Sequence, residues 1–354
     1  MFAEDSNLNW INMARISKKK IPYKIDEGLR EYLVSYGREM DIPIQYEDLN
    51  RYHDMVTLYD RFGNDTLWVS LIYRQDDLDH INDALKNIYA ILRANGDTSV
   101  MNHLYIDRVD LCLYGNTKPF RVRIVNQIND NFDYFYLKKA DASRIYGLEL
   151  EHLLSPNRIS FVVDQNTLIE EHIAGIPGAD FIQNYVLKGK LENEIRLAKE
   201  FVKFNERCFV RLLGDMHSSN YVVEIMPDFE DLHYRIRAID FDQQSYEPRK
   251  SIYLPQYFKQ NMEIIKLGMK HMTPKTMKQY QKEERSMIAS RIRYSRDQIN
   301  DLINRMEKST LSKSQYVLSL RKELAQHYRD KRFLACKSMG EIVKTSLLIL
   351  IQNN

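Results

Sequence analysis

Residues 214–220 of this chain read GDMHSSN, and residues 239–242 read IDFD. Residues 221–225 and 234–239 are apolar and strand-like, and the polar segment between them predicts a hairpin. In that hairpin, Asn220, the last residue of 214–220, and Asp240, the second residue of 239–242, fall at neighbouring strand ends. The sequence therefore predicts that two carboxylates and one carboxamide converge at one edge of a small sheet.

These three side chains belong to Asp215, Asn220 and Asp240. Phosphoryl transfer asks a protein for such groups: one carboxylate that orients a hydroxyl and accepts its proton, and an Asn with an Asp that hold Mg²⁺ against nucleotide phosphates. The pattern predicts Asp215 as the base and Asn220 and Asp240 as metal ligands, with ATP and Mg²⁺ as cofactors. Under the structural alternative, Asp215 and Asn220 are turn residues and Asp240 is a strand-end cap.

The two stretches resemble the catalytic loop and the metal-binding segment of kinase-like phosphotransferases of the aminoglycoside phosphotransferase and choline kinase type. The residues that match in order and spacing are Gly214, Asp215, His217, Asn220, Ile239 and Asp240. Leu213 stands where that family usually has a His, and Asp242 stands where protein kinases have a Gly. Lipid kinases of the phosphoinositide type carry a similar pair of motifs, so the pattern indicates a superfamily rather than a substrate.

The resemblance implies an α+β, protein-kinase-like fold with a small β-rich N-lobe and a large helical C-lobe. It also implies a strand lysine that contacts the nucleotide phosphates. Residues 134–139 are aromatic and strand-like, and they offer Lys138 and Lys139. Lys138 is favoured because strand alternation puts it on the face of Tyr134 and Tyr136.

In such a fold a glutamate on the next helix positions the lysine. A helix is predicted from a cap at Asp141 or Ser143 to about Leu154. Its apolar stripe favours Glu149, which lies at the edge of the stripe, whereas Glu151 is predicted to point towards solvent. The alternative is that both glutamates are solvated helix charges.

Further nucleotide contacts are implied by the same resemblance. The strand-like runs 159–163 and 167–173 lead into a Gly/Pro linker that resembles a kinase hinge, with Glu171 and Ile173 as predicted contacts. An earlier hairpin turns through Gly115 and Asn116, which are also predicted to bind the nucleotide. The sequence contains no GxGxxG and no Walker motif, which argues against an ordinary protein kinase.

Composition predicts a folded, cytoplasmic protein. Among 354 residues, 44% are hydrophobic and only 12 are glycine, which favours sizeable cores and long helices. The three cysteines are widely spaced and show no metal-ligand pattern. The N-terminus lacks the features of a secretory signal. The apolar segment 346–351 is too short to span a bilayer and is predicted to be a helix packed on the C-lobe.

Three regions are predicted along the chain. Residues 1–100 form an N-terminal accessory region, with helices near Glu27–Ser35 and Leu78–Arg93 and a strand near Thr66–Tyr73. Residues 101–175 form the nucleotide-binding N-lobe, and residues 176–354 form the helical C-lobe with the catalytic loop and the metal site.

Charge is unevenly divided, although the net charge is only +2. From Arg249 onward there are 22 Lys/Arg against 9 Asp/Glu, and before it 29 against 40. The basic excess includes Arg285, Arg291, Arg293 and Arg296 in one helical stretch and Arg321, Lys322, Arg329, Lys331 and Arg332 in another. It predicts an anionic acceptor, either a metabolite or an acidic protein, with nucleic acid as a weaker alternative; a solvated surface explains it equally well.

Two other functional hypotheses remain open at this point. One is a catalytically quiet, kinase-like scaffold that binds a partner. The other is AMP transfer on the same fold.

Overall fold

The structure is a computed structural model that describes residues 20–60, 62–94, 96–113, 117–227 and 232–353. Contacts within the chain group into two compact units. The sheet unit comprises residues 30–141 and 159–172, and the helical unit comprises the remaining described residues, 20–29, 142–158 and 173–353. The chain is therefore a mixed α and β protein, with a β-rich part followed by a mainly helical part.

Ten strands lie in the described residues. They are β1 (Asp54–Tyr59), β2 (Asp65–Ile72), β3 (Leu104–Cys112), β4 (Phe120–Asn126), β5 (Phe132–Lys139), β6 (Phe161–Asp164), β7 (Thr167–Glu171), β8 (Ile176–Pro177), β9 (Tyr221–Pro227) and β10 (Leu232–Ala238).

Ten α-helices lie in the same residues. They are α1 (Glu27–Ser35), α2 (Gln75–Ala94), α3 (Ala142–Leu154), α4 (Gly178–Phe181), α5 (Glu194–Arg211), α6 (Met262–His271), α7 (Pro274–Tyr294), α8 (Arg296–Lys308), α9 (Ser314–Tyr328) and α10 (Met339–Gln352).

The sheet unit is built on one antiparallel sheet of seven strands in the order β1-β2-β3-β4-β5-β7-β6. Helix α2 covers it with Ile81, Leu85 and Ile88, whose spacing makes one apolar helix face. These side chains pack with Phe120 and Phe135 from β4 and β5 in a single core. Alternation along the strands and helical periodicity in α2 thus build the same core.

The region boundary predicted at residue 100 does not coincide with a boundary between the compact units. Strand β2 precedes residue 100 and pairs with β3, with Val69 opposite Leu111. The predicted strand near Thr66–Tyr73 is confirmed as β2, and α1 and α2 confirm the two predicted helices. Strand β1 was not predicted, because nearly all of its residues are exposed and leave no buried face to recognise.

The helical unit holds the three-stranded sheet β10-β9-β8 and most of the helices. Helix α10 begins after the N-cap residue Ser338, whose hydroxyl accepts a hydrogen bond from the Glu341 amide at 3.2 Å. Within the segment 346–351, the apolar residues Leu347, Ile349 and Leu350 are buried, which confirms the predicted packing. Among the described residues, none of the helices combines the length and the apolar character needed to cross a bilayer.

Candidate active site

The hairpin of β9 and β10 positions the second half of the motif. The strands pair in register from Leu232 opposite Pro227 to Ala238 opposite Tyr221. The ladder extends one step further, where the Ile239 amide donates to the Asn220 carbonyl oxygen at 3.0 Å. The prediction that Asn220 and Asp240 lie at neighbouring strand ends is therefore confirmed.

The loop that carries Asp215 is held by its own backbone. Asp215 adopts a left-handed conformation with φ of 61°, and its amide donates to the Ile252 carbonyl at 3.1 Å. The Asn220 side chain closes the loop, since its Nδ2 donates to the Asp215 carbonyl oxygen at 2.8 Å. A carbonyl can only accept, so this bond fixes the carboxamide and makes Oδ1 the atom that can ligate a cation.

Leu213 takes the place of the histidine that the resembling family usually has before this loop. It is fully buried and forms an antiparallel bridge with Gln244. The adjacent Leu212 carbonyl accepts the Ser245 amide at 2.8 Å. An apolar side chain and a backbone bridge hold the loop against residues 243–245 in this chain.

Negative charge is concentrated around Asp215. Burial raises the pKa of its carboxyl to about 7, and the carboxylates of Asp240, Glu247 and Asp242 add to the shift in that order. A carboxyl with a near-neutral pKa can exchange protons at physiological pH, as a general base must. Arg144, which pairs with Asp240 and Asp242, offsets part of this negative charge.

His217 lies in the same loop, and its imidazole is partly buried. Burial lowers the pKa of its imidazole, against the opposing effect of Asp240. Its Nδ1 accepts the Ser219 amide at 3.3 Å, so the proton of the neutral ring is on Nε2. The ring packs beside Phe258, with the ring centroids 6.2 Å apart.

Arg144, in the first turn of α3, holds the two aspartates of the IDFD segment. Its Nη2 lies 2.7 Å from Asp240 Oδ1, and its Nε donates to Asp242 Oδ1 at 2.7 Å. Asp240 Oδ1 also accepts the Asp242 amide at 3.0 Å. The carboxylate of Asp240 is thus fixed from two sides.

Close packing at Gly147 brings α3 within reach of this segment. A Cβ atom at Gly147 would lie 3.0 Å from the Phe241 Cβ and 3.2 Å from the Gln244 Cβ. One turn earlier, the Ser143 hydroxyl donates to the Gln244 carbonyl. The missing side chain at Gly147 therefore lets the helix approach closely enough for Arg144 to bridge both aspartates.

The donor set fits magnesium bound together with phosphates. Mg²⁺ prefers hard oxygen ligands and is usually held by one or two carboxylates plus nucleotide phosphates. Asp240 and Asn220 Oδ1 are such ligands on neighbouring strand ends. Among the described residues, no group of three or more His, Cys, Asp or Glu side chains is arranged to hold a metal ion.

In the sheet unit, Lys138 and Lys139 occupy opposite environments. Lys138 is buried, and its ammonium forms an ion pair with Glu170 on β7 at 2.7 Å and lies over the Tyr136 ring at 5.5 Å. Lys139 is exposed and pairs with Glu47. The predicted alternation, with Lys138 on the face of Tyr136, is confirmed; its contact with a nucleotide stays a prediction.

The two glutamates of α3 are both buried, and the expectation for Glu151 was wrong. Glu149 has no exposed surface, and Glu151 is only 2% exposed. Glu151 pairs with Arg211 of α5 and accepts hydrogen bonds from Ser155 at 2.6 Å and Asn157 at 3.0 Å. These partners offset its burial and lower the pKa of its carboxyl. That Glu149 positions Lys138 stays a prediction.

Two predicted nucleotide contacts, Glu171 and Ile173, lie next to a boundary between the compact units, which falls between His172 and Ile173. The Glu171 carboxylate pairs with Arg93 at 3.0 Å and accepts the Ser160 amide at 2.9 Å. Ile173 is buried. Gly115 and Asn116 lie outside the described residues.

Several residues of the basic excess have partners within the protein. Arg285 pairs with Glu206 at 2.6 Å, Arg321 donates to the Cys336 carbonyl at 2.8 Å, and Arg332 pairs with Asp330 at 2.7 Å. Arg291 is partly buried and donates to the Leu154 carbonyl at 3.4 Å. The exposed members are Arg293, Arg296, Lys322, Arg329, Lys331 and Arg332.

Sequence reasoning missed three groups around the aspartates. Arg144 lies far before residues 214–220 and 239–242 in the sequence, and Glu247 follows residues 239–242 in an irregular segment. The ammonium of Lys20 donates to the Asp242 carbonyl at 2.6 Å from near the start of the described chain. Only the position of Arg144 in the first turn of a predicted helix gave any signal, and that signal does not identify its partners.

Comparisons with known proteins add little. Neither a protein-family model nor a curated protein matches the chain. Among solved structures, the chain is similar to the autoinhibited serine kinase domain of the giant muscle protein titin, with 13% identity and a TM-score of 0.27 over 70% of this chain and 93% of that one. A TM-score this low carries no argument about fold or function.

Proposed function

We propose that this protein is an ATP- and Mg²⁺-dependent phosphotransferase with a kinase-like fold, which moves the γ-phosphoryl group to a hydroxyl of its acceptor. One observation carries the proposal: Asn220 is hydrogen bonded to Asp215 and lies beside Asp240 at the end of one hairpin. A base, a carboxamide and a second carboxylate in this order are the groups that such a transfer requires.

Each residue has a distinct role in this mechanism. Bound Mg²⁺ and ATP would supply the transferable phosphoryl group and neutralise charge on its oxygens. Asp240 and Asn220 Oδ1 would hold the metal. Asp215 orients the acceptor hydroxyl and takes its proton, so that the oxygen is free to form the new bond to phosphorus while ADP leaves. The raised pKa of Asp215 makes proton acceptance effective near neutral pH.

Lys138 is proposed to contact the nucleotide phosphates, with Glu149 as its positioner. Support for Lys138 comes from its ion pair with Glu170, which fixes the ammonium on the face of Tyr136. Glu171, Ile173, Gly115 and Asn116 complete the proposed nucleotide contacts.

The proposed acceptor is anionic. Arg293 and Arg296 lie on α7 and α8 with exposed side chains, and attraction between exposed charges is screened within about 8 Å at 0.15 M salt. Replacing both with Ser should raise the KM for an anionic acceptor and flatten its salt dependence without changing ATP affinity. Efficient phosphorylation of a polycation such as an aminoglycoside would contradict this part of the proposal.

The reaction itself is tested by incubating the protein with Mg²⁺ and either γ-labelled or α-labelled ATP, together with candidate acceptors or cell extract. Transfer of the γ label alone, absent in Asp240→Ala, is the expected result. As a matched control, Asp301→Ala removes an aspartate on α8 that pairs with Arg305. Transfer of the α label would instead indicate AMP transfer, and ATP binding without any transfer would indicate a binding scaffold.

A further inference from the structure

The guanidinium of Arg144 forms ion pairs with both Asp240 and Asp242, the two carboxylates that a divalent cation would otherwise approach. Its Nη2 lies 2.7 Å from both Asp240 Oδ1 and Asp242 Oδ1, and its Nε reaches Asp242 as well. The Arg144 side chain is only 3% exposed, whereas those of Asp240 and Asp242 are 33% and 15% exposed. The arginine thus approaches the pair from the protein interior.

We propose that Arg144 is a positioning residue that prevents a bare divalent cation from binding to Asp240 and Asp242, so that metal enters this site only together with nucleotide phosphates. The proposal rests on the role of Asp240 as a metal ligand in the proposed function. It adds a requirement on the order of binding, which a metal ligand alone does not impose.

Charge is the first reason. The two carboxylates and the guanidinium together carry one negative charge instead of two, and a nearby positive charge weakens the attraction of a divalent ion. Lys20 adds a second cation at the Asp242 carbonyl. Phosphate oxygens that arrive with the metal restore the missing negative charge and the missing ligands.

Burial is the second reason. Removing a buried arginine from its carboxylates would leave charges unpaired in a region of low dielectric, which is costly. Its position is further set by the close approach of α3 at Gly147. Arg144 therefore stays in place when metal binds, and it keeps Asp240 Oδ1 fixed through direct hydrogen bonding.

The test measures Mn²⁺ binding without nucleotide, from the loss of the free-ion signal in electron paramagnetic resonance. Without nucleotide, the wild type should bind Mn²⁺ no more tightly than the Asp240→Asn variant does. Arg144→Gln should bind Mn²⁺ at least about tenfold more tightly than the wild type, and the double variant Arg144→Gln/Asp240→Asn should lose this gain. Arg144→Lys keeps the charge and should remain close to the wild type.

Arg207→Gln is the matched control, because Arg207 is equally buried and pairs with Glu200 at 2.6 Å and Glu284 at 3.5 Å. It should lose stability without gaining affinity for Mn²⁺. Folding of each variant is checked by circular dichroism.

Two results would overturn the inference: wild-type binding of Mn²⁺ that depends on Asp240 in the absence of nucleotide, or a folded Arg144→Gln with unchanged affinity. The first needs no arginine variant, so a folding defect does not leave the question open. The Mn²⁺ test contains no ATP, so its result does not depend on whether the protein transfers a phosphoryl group. Equally, a negative result in the Mn²⁺ test would not contradict phosphoryl transfer.

Discussion

The side chain of Asn220 donates its Nδ2 hydrogen to the backbone carbonyl of Asp215 at 2.8 Å. This bond ties the Asn220 end of the GDMHSSN loop to Asp215 and leaves Oδ1 as the atom that could ligate a cation. In the proposed mechanism, one residue therefore serves both the loop's geometry and metal binding.

Asn220→Ala should therefore lower kcat by about 10²-fold or more, since small displacements of a reacting group cost that much. The variant loses the ligand oxygen and the tether of Asp215 together. Steady-state kinetics at saturating Mg²⁺ and ATP measures the effect. Ser219→Ala, one residue earlier and exposed, serves as the control and should retain activity; equal losses in both variants would contradict the role of Asn220.

Asp240→Ala should abolish Mg²⁺-dependent binding of ATP. Magnesium in such sites is held by one or two carboxylates together with phosphates, and Asp240 is the carboxylate at the hairpin end. Isothermal titration calorimetry with and without Mg²⁺ measures the change. An unchanged affinity for Mg-ATP would favour a scaffold over an enzyme.

Gly147→Ala should destabilise the fold by about 1–3 kcal/mol, because the new Cβ would overpack a filled contact. That atom would lie 3.0 Å from the Phe241 Cβ. Gly268→Ala is the matched control, since this helical glycine has no atom within 4 Å of an added Cβ. It should gain up to about 1 kcal/mol from helix propensity. Urea denaturation measures both, and equal effects would show that α3 does not pack as described.

The free energy of unfolding should decrease as the pH is lowered from 6.5 to about 4, partly because of His327. Burial, aided by Lys250 and Arg285, lowers the pKa of its imidazole from 6.5 to about 4. In this range the unfolded chain binds a proton at His327 that the folded protein does not, so the free energy of unfolding decreases as pH decreases. Above pH 6.5 this contribution is constant.

The variant His327→Gln should lose less stability than the wild type between pH 6.5 and 4. Urea denaturation across this range measures the two profiles. Parallel profiles would show that His327 titrates normally in the folded protein.

The sequence predicts a structural feature when the interactions that determine the feature lie within a few residues of one another. Helix α1 and the hairpin β9-β10 follow from periodicity and turn residues, which act over a few positions. The burial of Glu151 does not, because periodicity places it on a helix face without saying that Arg211 of another helix packs there.

The candidate site divides in the same way. The positions of Asp215, Asn220 and Asp240 are set by one loop and one hairpin, so their spacing in the sequence predicts their proximity. The bridge from Arg144 to Asp240 and Asp242 depends on close packing at Gly147. Such a contact between distant segments leaves no spacing pattern in a single sequence.

In the proposed mechanism, Asp215 acts on the acceptor hydroxyl and not on the nucleotide. The most direct measurement compares turnover and Mg-ATP affinity in Asp215→Asn, whose side chain is nearly isosteric. Turnover should fall by about 10²–10⁴-fold because the proton acceptor is lost, while the Kd for Mg-ATP stays close to that of the wild type. Wild-type turnover in this variant would contradict the assignment of Asp215 as the base and, with it, the proposed mechanism.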